Sequence, residues 1–139
     1  MKKLLHSVYR YLAVFACFIA FADYADAHHS FVADFDQNNP VTLTGVVTKI
    51  KWTNPHAQFY IDVTGPDKTV ANWQLELGSV NMLVRYKFTK DSIKMGESLT
   101  VEGYRARDGS NYINARTIKM ADGRVLSAGS SVSNIGDTK

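Results

Sequence analysis

Two stretches of strict alternation, separated by a turn, constrain the fold of this chain more than any other feature. Ala57, Phe59, Ile61 and Val63 are apolar, and His56, Gln58, Tyr60 and Asp62 form the opposite row. After Gly65-Pro66-Asp67-Lys68, the apolar residues are Ala71, Trp73, Leu75 and Leu77, alternating with Asn72, Gln74 and Glu76. A period of two residues puts one row against a core and the other in solvent, and a Gly-Pro-Asp turn reverses the chain. The pattern predicts an antiparallel hairpin in which residues 56–58 face residues 74–78.

The flanking segments extend this to a β-rich domain. Val41 to Trp52 predicts a long first strand, rich in β-branched residues. Its apolar phase changes partway, with Val41 and Leu43 on one parity and Val46, Ile50 and Trp52 on the other. Gly45 sits at the switch, where a bulge or sharp bend is expected. Beyond the hairpin, Ser79 caps a short helix from Val80 to about Phe88, with Met82, Leu83 and Tyr86 as its apolar face. Glu97 to Ala106 and Tyr112 to Met120 read as two more strands around the turn Arg107-Asp108-Gly109-Ser110, with a short sixth strand at Val125-Leu126. The order β-β-β-α-β-β with a bent first strand is that of the OB-fold; a β-sandwich or an open α+β sheet shares parts of it. The expected fold is all-β with one short helix, an OB-like small barrel of five to six strands over residues 28–126, followed by a flexible tail over residues 127–139.

The first 27 residues have a different character. Lys2, Lys3 and Arg10 precede a charge-free apolar run from Tyr11 to Ala22, and Ala25-Asp26-Ala27 has the small-x-small form read by signal peptidase. Twelve apolar residues are too few to span a bilayer, which takes about 20. Residues 1–27 therefore read as a signal peptide, which directs the chain to the periplasm or the exterior and leaves no membrane span after cleavage. The single cysteine, Cys17, lies inside the apolar run; processing there as a lipoprotein is the alternative. The 112 residues after Ala27 contain no cysteine, so they hold together by packing without disulfides. Their 13 basic and 11 acidic residues are interspersed, which is not the basic patch that nucleic-acid binding needs.

AHHSF (Ala27 to Phe31), PVTLTGVVT (Pro40 to Thr48), WTNPHA (Trp52 to Ala57), NWQLELGS (Asn72 to Ser79) and VEGYRARDGS (Val101 to Ser110) resemble a widespread group of small secreted bacterial proteins. That group is classified only as a domain of unknown function. The likeness runs from about Ala27 to Ser131 and implies a Gram-negative periplasmic location. It implies no activity and assigns no role to any residue.

The candidate chemistry lies in the histidines. Cleavage after Ala27 makes His28 the first residue, so that its α-amine and imidazole can both ligate one metal ion. His56 can supply a third nitrogen and His29 an alternate or axial one. Nitrogen donors in such an array suit copper, with zinc as second choice, and Glu76 can orient His56 from behind. The plainer reading makes His28 and His29 a solvated terminus and His56 a loop residue after Pro55. As an alternative without metal, the barrel face serves as a protein- or small-ligand-interaction module. Its contacts are Trp52, Tyr60, Tyr104 and Tyr112 as an aromatic platform for a sugar or base, and Arg105 and Arg107 as an anion-binding pair. The partner in that case is an unidentified periplasmic protein or small ligand. No G-x-S-x-G, H-E-x-x-H or P-loop is present, so the chain reads as a binding module rather than an enzyme.

Overall fold

The computed structural model describes residue 31 and residues 33–129. The expected signal peptide, His28 and His29, and positions 130–139 lie outside them. The hairpin folds as the alternation dictates: β2 (Gln58–Thr64) pairs antiparallel with β3 (Val70–Glu76), Phe59 opposite Leu75 and Ile61 opposite Trp73. Phe59, Ile61, Leu75 and Leu77 are fully buried.

Around it run β1 (Phe35–Lys51), the helix α1 (Val80–Arg85), β4 (Ser98–Ala106), β5 (Tyr112–Met120) and β6 (Val125–Ser127). β1 pairs with β2 on one side and β4 on the other, and β4 pairs with β5. β3 then meets β5 in parallel, Leu75 opposite Ile113, which closes a ring of five strands, with β6 added outside β5. The mostly β, barrel-like architecture and the pairing order are those expected of an OB-like fold.

The interior is aliphatic with an aromatic plug. Val47, Leu99, Val101, Ile113 and Ile118 line it, and Leu83 from α1 and Phe88 just beyond it are buried at one end. Phe88 packs at 5.9 Å from Phe59 and 5.7 Å from Trp52, centroid to centroid. Ser79 accepts from the Met82 N–H, and Asn54 in the β1–β2 loop accepts from the Val80 N–H at 3.0 Å, so two side chains hold the first turn of α1. The helix is shorter than expected, and of its predicted apolar face only Leu83 is buried; Met82 and Tyr86 stay exposed.

Three boundaries differ from the sequence reading. The phase of β1 changes at a bulge around Thr48, where Val47 opposes Ile61 and Lys49 already opposes Tyr60. Val47 therefore faces the core and Val46 is 43 % exposed, which reverses the expected roles of these two valines. Gly45 has another reason to be glycine: a β-carbon there would lie 2.6 Å from the Asp62 carbonyl oxygen, where β1 passes from β4 to β2. β1 also begins earlier, because Phe35 buries itself opposite Ala106 despite the polar run that follows. At the other end the packed body includes Ser127 to Gly129, read from sequence as the start of the tail. Ala128 is buried, and its carbonyl accepts from Gly78 N–H at 2.8 Å. A side chain at Gly78 would collide with Gly129.

Gly45→Ala should lower the unfolding free energy by about 1–3 kcal/mol, the usual cost of forcing atoms into filled space, in a urea titration of the purified chain. An unchanged midpoint would mean that β1 and β2 do not approach as closely as described here.

Candidate functional site

Closure of the ring lays the outward-facing side chains of four strands in two rows. Lys49, Tyr60, Gln74 and Tyr112 are register partners from β1 through β2 and β3 to β5. Lys51, Gln58, Glu76 and Asn114 form the second row. At the end of this second row stands His56, in the loop before β2.

His56 is held by the backbone. Its Nδ1 lies 3.0 Å from the Leu77 carbonyl oxygen; a carbonyl can only accept, so Nδ1 carries the proton and Nε2 presents its lone pair. The side chain is 42 % exposed. Glu76 Oε1 is 3.9 Å from the same Nδ1, but the firm partners of this carboxylate lie elsewhere. Glu76 Oε2 accepts from the Tyr112 hydroxyl, and Oε1 accepts from Asn114 Nδ2 at 3.2 Å. The expected pairing of Glu76 behind His56 is thus one contact in a larger polar knot across the β3–β5 seam.

The knot lies in protected surroundings. Asn114 is 2 % exposed, and its Oδ1 has no hydrogen-bond partner among the described residues. Phe31 and Phe35 stack at 5.5 Å; Phe35 packs on Tyr112 at 5.1 Å and Phe31 on Tyr104 at 6.1 Å. These rings form a small apolar cluster of their own on the outside of the barrel. Burial, then the hydrogen bond to Glu76 and its negative charge, push the Tyr112 phenol well above its ordinary value near 10.

The other sequence-singled residues are spread around the barrel. Trp52 is partly buried and packs against the core on Phe59 and Phe88. Tyr60 lies on the outer face with Lys49 and Lys51 over its ring at 5.1 and 5.6 Å. Tyr104 is on the outer face further round, its hydroxyl accepting from Arg116 at 2.8 Å. Arg105 stacks on Trp73 at 5.2 Å and donates to the Gly109 and Ser110 carbonyls in the β4–β5 turn. Arg107 stands 3.7 Å from Asp36. Arg105 and Arg107 thus face different partners, while Tyr104 and Tyr112 both pack against the Phe31–Phe35 cluster. Asn114 and Tyr112 as partners of Glu76 escaped the sequence reading, because the seam that joins them is a long-range parallel pairing. A shallow groove of ≈ 330 Å³ beside Pro40, Tyr104 and Arg116 has its carboxylate, Glu102, already bound to Lys119 at 2.6 Å.

Among the described residues no three of His, Cys, Asp and Glu gather as a metal-ligand set. Of the predicted metal ligands only His56 is described, since His28 and His29 lie outside. No helix among the described residues is long and apolar enough to cross a membrane. Residues 16–114 match the model of a protein family of unknown function, DUF6152. No curated protein matches the chain.

The raised Tyr112 phenol has a consequence for stability. Its folded value exceeds its unfolded one, so its contribution is complete below about pH 10 and is lost as pH rises above that. Chemical denaturation between about pH 9 and 11 should show the wild-type chain losing stability more steeply than Tyr112→Phe. Parallel slopes for the two would show that the phenol is not held by Glu76.

Proposed function

The chain belongs to DUF6152, a family of unknown function, and from that premise we propose that it is an exported β-barrel binding module for a transition metal. Copper is the first choice and zinc the second, with His28 and His56 as ligands and His29 as an additional donor. Export rests on the N-terminal pattern of basic residues, apolar run and Ala25-Asp26-Ala27, and the destination is the periplasm or the exterior.

The observation that carries the reading is the His56 ring. Metal-ligating histidines almost always donate their second ring N–H to a carbonyl or carboxylate, which orients the ring and raises its basicity. His56 makes that bond to Leu77 and keeps Nε2 open at a half-exposed position. One imidazole holds copper weakly, so further nitrogens are needed. His28, once freed by cleavage, brings an amine and an imidazole on one residue. It precedes Phe31 by three residues, and that length of chain spans at most about 10 Å. Phe31 is itself fastened through Phe35 to Tyr112, the partner of Glu76 beside His56. The same three ligands must be unprotonated to bind, so metal uptake weakens on acidification.

Exported protein whose first residue is confirmed as His28 should take up one equivalent of Cu(II) and show nitrogen ligation by electron paramagnetic resonance. One extra residue ahead of His28, or His56→Ala, should each weaken binding by about tenfold or more, in line with loss of a ligand or its support. Binding that ignores both changes would reject this site.

A further inference from the structure

The outer rows of β1, β2, β3 and β5 carry a second set of groups that the metal reading does not use. We propose that this face binds an acidic oligosaccharide of low charge density, with Tyr60 as the stacking surface, Lys49 and Lys51 as the carboxylate contacts, and Gln58 and Gln74 as the hydroxyl contacts.

Strand register brings these groups together. Tyr60 sits between Lys49 and Gln74 in one row, and Gln58 sits beside Lys51 in the next. Both ammonium groups lie over the Tyr60 ring, at 5.1 and 5.6 Å, and among the described residues neither forms an ion pair with a carboxylate. Two like charges drawn to one ring leave a site for a shared anion. The Gln58 amide accepts from the Tyr60 hydroxyl at 3.3 Å and keeps its two donors. Gln74 makes no side-chain hydrogen bond among the described residues. Planar amides beside an aromatic ring suit a ligand that is apolar on its ring faces and hydroxylated at its edges, which describes a sugar. Tyr112 lies two strands beyond Tyr60 in the same row, about 10 Å away, close to the length of a disaccharide.

Charge separates this ligand from other polyanions. Asp62 and Glu76 share the face with the two lysines, so it is neutral overall. Affinity for nucleic acid grows with the number of phosphates neutralised; a face with two cations and two carboxylates opposes a ligand charged at every unit. It accepts a chain with an occasional carboxylate and many hydroxyls, because Asp62, whose Oδ1 is bound to Asn72, can accept from a hydroxyl through Oδ2. OB-type barrels commonly bind along the outer face of strands two and three, which is where these residues lie.

The test is a nuclear magnetic resonance titration of the metal-free exported protein with three probes: a mannuronate hexasaccharide, a neutral mannose hexasaccharide and a ten-nucleotide thymidine strand. The acidic sugar should shift amides of residues 49–51, 58–62 and 72–76 and bind more tightly than either other probe. Tyr60→Ala should weaken it by about tenfold, the scale of one stacked ring, while Tyr60→Phe stays within about twofold of wild type. Lys49→Ala with Lys51→Ala, both exposed positions, should erase the preference for the acidic over the neutral sugar. Copper uptake should be unchanged in all these variants, so failure here and failure of the metal site are separate results. No shifts on the order of 10 mM sugar, shifts elsewhere, equal binding of the neutral sugar by wild type, or tighter binding of the nucleotide strand would each overturn the proposal.

Discussion

The parallel seam between β3 and β5 is the contact on which the rest of this molecule depends. Only three register pairs join these strands, from Gln74 opposite Tyr112 to Glu76 opposite Asn114, yet they turn a curled sheet into a closed ring. A closed ring leaves few unpaired edges and gives residues 31–129, which hold no cysteine, an enclosed core. The seam is sealed outside by the bonds of Glu76 to Tyr112 and Asn114. A half-buried carboxylate with two donors is stabilising, and the same carboxylate with one donor removed costs about 1–3 kcal/mol or more. Packing of Phe35 on Tyr112 keeps water from one side of that bond.

The division of labour follows from this closure. Inward rows hold Phe59, Ile61, Leu75, Ile113 and other apolar side chains, so among the described residues polar groups gather in the loops and the outward rows. His56 belongs to the first category and Tyr60 with its lysines to the second, and both sit on the same hairpin. The hairpin that organises the core thereby also sets the distance between the two proposed sites.

Much of this was readable from the residues. Alternation identified the hairpin and its register, Ser79 marked the helix start, and Gly109 marked a turn that takes positive φ. Positions whose cause is a long-range encounter were not readable. The bulge at Thr48 has no signature of its own, so the phase change was assigned to the nearest glycine, which is there because the Asp62 carbonyl passes close by. Ala128 looks like tail in composition, and its burial depends on Gly78 being small enough to receive it. In the candidate site, the row that holds Glu76 was legible. The Leu77 carbonyl that takes the His56 proton was not, since every residue has a carbonyl. Trp52 was legible as part of the apolar phase of the first strand; its packing on Phe88, from another segment, was not.

This fold presents one ring nitrogen of His56 outward by fixing the proton on the other. Nitrogen-15 spectra of the metal-free protein near neutral pH, recorded through the ring protons, report directly which nitrogen is protonated. The account predicts the Nδ1–H form for His56, with Nε2 bare. A predominant Nε2–H form, the usual preference of a free imidazole side chain, would mean that Leu77 does not hold the ring and that no lone pair is presented for a metal.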